Sequence, residues 1–281
     1  MIYKTGSCPY KDLYIYHLEG RFGEEDEKLL GKEFLGSWIE DEYSFLFFSS
    51  DPGSDVYKII TQNSLVRLLE KYKFPYEEWQ GGGFEKKKIG EFIIVSPWEK
   101  DDEESEKYKI ILDPGVVFGN GLHPTTKDCL YAISYLKKQY PFKKVLDIGT
   151  GTGILGIASI YLGANLVSAY DLNPLAVKTA INNVRLNGFE DRINVYRGKA
   201  EEISEDDSDL VIANIHFDVI KSLLLKNTFC NQSYLILSGL MRSQARDVKD
   251  LLLNTKLEIV KEWDHDMIWY TMLLCGNRNE T

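Results

Sequence analysis

The chain has few cysteines and none that pair by spacing. Cys8, Cys129, Cys230 and Cys275 are the four in 281 residues and form no CxxC motif, which argues against a compact zinc centre or a disulfide framework and leaves buried or idle thiols. No metal is expected. Long apolar runs are missing too: none approaches the ~18 to 20 residues of a membrane span, and the opening MIYKTGSCPYKD lacks the apolar centre of a signal peptide. A cytoplasmic location and no membrane partner are expected. Positive charge is in deficit, since 33 Lys and Arg against 43 Asp and Glu give −10. Such a field repels a phosphate backbone and attracts a basic protein, so direct nucleic-acid binding is not expected.

What is present is an ordinary globular composition, 44% hydrophobic and 27% charged, on a chain long enough for one large domain with a smaller partner. Residues 1–73 mix a strand-like DLYIYHLEG, a helical EEDEKLLGKEFLG, the aromatic-rich SWIEDEYSFLFFSS and a helical NSLVRLLEKYK. They predict a small α+β module without a chemical motif. Residues 74–107 read as a connector: QGGGFEKKKIG carries three glycines and a lysine run, EFIIVSPW is a strand, and EKDDEESEK is a solvated acidic loop.

From 108 to 281 the pattern becomes βαβα. KKVLDIG, NLVSAYD, RINVYRG, DLVIANI and SYLILSGL are strands, and KLEIVKEWDHD with MIWYTMLLCG closes the series as a pair. ILGIASIYLG is apolar all round, hence a buried helix. In NPLAVKTAINNVRLNG the spacing of Val177, Ala180, Ile181 and Val184 predicts an amphipathic helix stopped by Gly188. Alternation of this kind gives a mostly parallel sheet with ligands at the carboxyl ends of its strands.

Two motifs overlap in VLDIGTGTGILG, Val145 to Gly156. Gly151-x-Gly153-x-x-Gly156 has the spacing of a dinucleotide-binding turn, whereas Asp147-x-Gly149-x-Gly151-x-Gly153 is how S-adenosylmethionine sites are written. The helix beginning near Ile154 offers its N-terminus to an anionic group of either cofactor. Asp171 ends the next strand, where a carboxylate accepts ribose hydroxyls in both cases. Asp147 opposes a pyrophosphate but suits the ammonium of a methionine moiety. Asn214, ending DLVIAN, puts an amide beside the reactive centre. These two residues favour methyl transfer over hydride transfer; a tight turn with no ligand is the bland alternative.

Upstream, LDPGVVFGNGLHPTT (Leu112 to Thr126) describes a folded-over loop with Phe118, His123 and Pro124 at a helix start. The loop is placed to cover the cofactor, or to serve only as a structural cap.

At this point the residues resemble a family. LDPGVVFGNGLHPTT, VLDIGTGTGILGIASIYLGA, DLNPLAV with NNVRLNG, and VIANI follow the order and spacing of the PrmA family, methyltransferases of large-subunit ribosomal protein eleven, over about residues 74–281. The resemblance implies an α/β fold of the class I methyltransferase type, a Rossmann-like seven-stranded sheet preceded by a small ferredoxin-like α+β domain that recognises the substrate. It implies cofactor contacts from Thr126 on the methionine side, Gly149 in the turn, Asp171 on the ribose and Asn214 near the transferred methyl. With these go Phe118, Asp147, Gly151 and Gly153 from the residue-level reading. The chain departs from the family at Asn120 and Leu122, where threonine is usual, and at His216 and Phe217, where Leu-Ala is usual. All four positions are expected to border the acceptor.

The expected activity is an S-adenosylmethionine-dependent protein N-methyltransferase acting on lysine or α-amino groups of a basic ribosomal protein. Asn214 is the expected catalytic residue, accepting a hydrogen bond from the attacking amine. No dedicated base is evident, and His123 and His216 are equally readable as loop residues. The same fold acting on another protein or a small molecule, and a non-catalytic binding module, remain as alternatives.

Overall fold

The computed structural model describes residues 8–83, 85–99, 107–203, 207–226 and 232–276. Cys230 and most of the acidic run at 99–107 lie outside them. The N-terminal elements are β1 (Asp12–Glu19), α1 (Glu24–Glu27), β2 (Phe34–Glu40), β3 (Tyr43–Phe48), α2 (Gly53–Gln62) and β4 (Arg67–Pro75). They form an antiparallel sheet in the order β2-β3-β1-β4, the ferredoxin-like βαββαβ arrangement.

Two local expectations fail here. NSLVRLLEKYK is not a helix; its residues from Arg67 enter β4, where pairing with β1 overrides helix propensity. EEDEKLLGKEFLG keeps only one helical turn, because Gly31 turns at φ 79° and the chain leaves into β2. The second helix of the module is instead α2, which buries Val56 and Ile60, one turn apart, under the sheet.

The stretch read as a connector is built into the body. After α3 (Tyr76–Trp79) come β5 (Lys87–Ile89) and β6 (Phe92–Val95), which form a three-stranded sheet with β7 (Lys109–Ile111). Ile89, Phe92 and Ile94 belong to the same apolar cluster as the main helices.

The body continues with α4 (Pro124–Gln139), β8 (Lys144–Ile148), α5 (Ile154–Tyr161), β9 (Leu166–Asp171), α6 (Pro174–Leu186), β10 (Ile193–Arg197), β11 (Leu210–Asn214), α7 (Phe217–Leu225), β12 (Tyr234–Met241), α8 (Arg242–Leu252), β13 (Leu257–His265) and β14 (Trp269–Gly276). Its seven strands lie in the order β10-β9-β8-β11-β12-β14-β13. All pairs are parallel except those of β14. One face carries a core with α4 and α5, the other a core with α7 and α8. The order reverses beside β8, so the ends of β8, β9 and β11 open a crevice. Helix α5 is buried from Ile154 to Ile160, as its composition requires. Helix α6 buries Ala180 and Val184 of its expected face, but Ile181 is half exposed, and Leu175, Ala176, Thr179 and Asn183 extend the buried side around the helix. The cause is that α6 packs against the N-terminal module as well as the sheet.

That second contact is a shared core. Leu13, Ile15, Phe47 and Tyr76 pack with Trp98, Val116, Val117, Leu175 and Ala176 in one apolar cluster. Gly36 of β2 sits so close to Leu175 that a Cβ there would lie 2.6 Å from its Cδ1. Tyr10 donates to Asp113 Oδ2 (3.2 Å) across the junction.

Asn183 fastens the upstream loop to this frame. Its Oδ1 accepts from the Asp113 amide, and its Nδ2 donates to the carbonyls of Asp113 and Thr152, each at 2.9 Å. One turn later Asn187 repeats the pairing on both backbone groups of Ile111. Replacing Asn183 with Ala strands three buried backbone groups, each costing ~1 to 3 kcal/mol. We expect a fall of about 3 kcal/mol or more in unfolding free energy, read from the urea midpoint with an unchanged denaturant slope.

Candidate functional site

The glycine turn joins β8 to α5 with Gly149, Gly151 and Gly153 at φ 69°, 55° and 82°, left-handed values that exclude other residues at little cost. The space beside two of them is filled by protein. A Cβ on Gly149 would lie 2.1 Å from Ile215 Cγ2, and one on Gly151 would lie 2.6 Å from the Phe118 carbonyl oxygen. The upstream loop therefore lies directly across the turn, and Thr152 Oγ1 donates to the Gly119 carbonyl (2.7 Å) to hold it there.

Two adjacent cavities open at this point. A cleft of about 770 Å³ is walled by Phe118, Gly149, Gly151, Asp171, Asn214 and His216 on one side. Arg21, Glu24, Glu27, Trp38, Ile39 and Asp41 of the N-terminal module form the other side. A neighbouring cavity of about 650 Å³ shares Gly149, Asp171, Leu172, Lys199 and Ile215 with it and runs toward Tyr170 and Ala200. The carboxylate of Asp171 stands where the two meet. Its Oδ2 accepts from the Gly151 amide (3.0 Å) and its Oδ1 from the Asn173 amide (2.9 Å), which ties the turn to the start of α6. Burial raises its pKa, and these backbone donors oppose the shift.

The remaining site residues expected from the sequence divide between the cleft and the scaffold. Phe118 is half exposed on the cleft wall. Thr126 is buried in the first turn of α4, and its hydroxyl has no hydrogen-bond partner. Gly153 packs against Ala180 behind the turn. Asp147 is 1% exposed and lines neither cavity; its Oδ2 accepts from Thr150 Oγ1 (2.6 Å) while Oδ1 is buried without a partner. Its charge sits beneath the turn rather than on the cleft side, because the side chain points toward Gly156 of α5. Burial pushes its pKa up to about 6.

Of the four positions expected to border the acceptor, only His216 lines the cleft. Asn120 donates to the Gln80 carbonyl and side chain (2.7 and 2.9 Å), pinning the loop to the end of α3. Leu122 is near Gly82 and Phe217 is in the core under the sheet. His123 turns out to be a cap. It precedes α4, its Nδ1 accepts from the Thr125 amide, and its ring lies edge-on between Phe118 and Trp269, with centroids 5.0 Å from each. Burial, then the positive charges of His265 and Lys127, lower its pKa. The cleft wall from residues 21–41 was not foreseen. It carries no motif, and only the packing of the module on α6 brings it to the site.

Comparison with known proteins follows the same outline. A family model described as ribosomal protein L11 methyltransferase (PrmA) matches residues 74–275. The chain is 39% identical over 205 residues to a protein of that name from Carboxydothermus hydrogenoformans, covering 72% of this chain and 63% of the relative. It is 45% identical over 130 residues to one from Bacillus cereus, covering 46% and 41%. The chain thus spans less than two thirds of the length of these relatives. Among solved structures, a ribosomal protein L11 methylase from Lactobacillus delbrueckii subsp. bulgaricus superposes with a TM-score of 0.61 at 27% identity, covering 69% of this chain and 99% of that one.

Asp147 makes a pH signature available. Its folded pKa of about 6 lies above the ordinary carboxylate value of 3.8, so the ionised, buried carboxylate destabilises the fold at neutral pH. The penalty is complete above about 6 and fades as the pH falls toward 3.8. Asp147→Asn keeps an acceptor for Thr150 without the charge. It should raise the melting temperature at neutral and alkaline pH, with the advantage shrinking through that acidic window; a constant difference at all pH values would refute the assignment.

Proposed function

The chain belongs to the ribosomal protein L11 methyltransferase family, and on that premise we propose that it transfers methyl groups from S-adenosylmethionine to lysine or α-amino groups of a basic ribosomal protein, L11. The observation that carries the reading is the pairing of Asp171 and Asn214. They stand at the ends of β9 and β11 on one cleft whose far wall comes from a separate module with acidic Glu24, Glu27 and Asp41. A cationic partner suits that mouth.

The residues present fit the cofactor. Two cavities meeting at a carboxylate suit a molecule with a methionine arm and an adenosine arm, and the buried, unpartnered hydroxyl of Thr126 is an unused donor beside the loop. Asp171 would hold the ribose through the lone pairs its backbone donors leave free. Gly149 and Gly151 would supply close backbone, and Phe118 an apolar wall. Asp147 and Gly153 hold the turn from behind. When bound, S-adenosylmethionine supplies a methyl on a sulfonium, ready for in-line displacement.

The protein's part is alignment and charge. An acceptor ammonium has no lone pair and must lose a proton, which a desolvated position near positive charge favours. Asn214 accepts a hydrogen bond from the resulting amine through its side-chain carbonyl and points the lone pair along the reaction axis. Residues 1–73, with Trp38 and Ile39 exposed at the cleft, choose the protein that enters.

Label from methyl-labelled S-adenosylmethionine, located by mass spectrometry after incubation with L11, tests the reading; label elsewhere or none at all would refute it. Asp171→Ala should weaken cofactor binding by about 2 kcal/mol, roughly thirtyfold, in calorimetry. Asn214→Ala should lower kcat more than cofactor affinity. Loss of affinity alone at full turnover would make Asn214 a binding residue only.

A further inference from the structure

Two histidines near the cleft occupy the same position, the residue just before a helix, and use it differently. His123 spends Nδ1 on capping α4 and is wedged between two aromatic rings. His216 precedes α7 and makes no capping bond. Ser, Thr, Asp or Asn normally stands there because the first amides of a helix need an acceptor, so the imidazole of His216 is not consumed by the helix it begins. It lines the cleft beside Asn214 and Ile215. Its Nδ1 is 3.4 Å from Asp218 Oδ2. A carboxylate at Nδ1 favours the tautomer with its proton there and leaves Nε2 with a free lone pair.

We propose that His216 is the proton acceptor for the methyl-accepting amine, an assignment that rests on the methyl-transfer reading above. The acceptor's ammonium gives a proton to Nε2. The nitrogen lone pair then forms the N–C bond as the C–S bond breaks, with the bonding pair staying on sulfur. The positive charge of the sulfonium ends on the methylated nitrogen. With three-quarters of its side chain exposed, His216 passes its proton to solvent before the next turnover.

Charges of both signs share the cleft with His216. Asp218 faces it from α7, Glu24, Glu27 and Asp41 face it across the cleft, and Asp171 lies on the floor. Arg21, Arg197 and Lys199 line the cleft too, and the Arg197–Glu24 pair at 2.7 Å cancels one charge of each sign.

The test uses the full chain, L11 and labelled S-adenosylmethionine, with single-turnover rates measured across pH. The wild-type rate should rise with pH and reach a plateau, as a single base in the reaction path requires. His216→Gln should lose about a hundredfold at neutral pH, within the range for general base catalysis, and its rate should keep climbing into the alkaline range where the amine deprotonates unaided. Added imidazole should restore part of the loss. Asp218→Asn should lower the single-turnover rate only through His216, so that it adds nothing in the His216→Gln background, which a merely structural role would not do. Both variants should bind S-adenosylmethionine as the wild type does. A His216→Gln protein that labels L11 at the wild-type rate with the same pH limb would overturn this assignment while leaving the activity intact. So would loss of cofactor binding in that variant. A wild-type protein that binds S-adenosylmethionine and labels nothing would overturn the activity, and this step with it.

Discussion

Everything at the site depends on how the backbone of Asp113 is held. Its amide and carbonyl are paired with one buried side chain, Asn183, which also reaches the Thr152 carbonyl inside the glycine turn. The Asp113 carboxylate binds Tyr10 of the N-terminal region and the Gly115 amide. Helix α6, the covering loop, the turn and the N-terminal module thus meet within two residues. Buried amides satisfied on both sides are costly to disturb in a low-dielectric interior, so the loop has one position rather than many. Gln80, which donates to the Gly115 carbonyl (2.8 Å) and accepts from Asn120, ties the loop a second time from α3.

The glycines show how a familiar motif can be read for an incomplete reason. Bare backbone at Gly149 and Gly151 is needed whether or not a ligand approaches, because Ile215 and the Phe118 carbonyl already occupy the space a side chain would take. The turn is therefore packed from within on the side of β11 and the loop. What distinguishes the site is the placement of carboxylates around it. Asp171 faces both cavities and Asp147 is shut beneath the turn, although the two look alike in the sequence.

The parallel sheet was legible because its central strands β8, β11 and β12 are buried on both faces and read as short apolar runs between glycines and polar turns. The N-terminal module was less so. In β4 the alternation breaks at Leu69, where a bulge opposite His17 and Leu18 shifts the register. Leu68 then packs toward α2, whereas Tyr72 and Phe74 pack toward the body. A strand whose inward face changes midway has no two-residue period to detect. The face of α6 was misjudged for a related reason: a buried asparagine, Asn183, marks the inward side where hydrophobicity alone selects Ile181. At the site, motif residues were found by spacing. That His216 leaves its helix uncapped was not, since nothing in the sequence separates a histidine that caps its helix from one that does not.

The cluster shared by the two parts of the molecule bears on how the chain opens. Elements that bury a common set of side chains tend to unfold together, and here Leu13 and Ile15 of β1 rest on Val116, Val117 and Leu175. Amides of the small sheet should then exchange with deuterium no faster than those of the body's strands, instead of behaving as a loosely tethered lobe. Subglobal opening would be paid for as a single event, and a partner resting on the small sheet would slow exchange in the loop across the glycine turn without touching it.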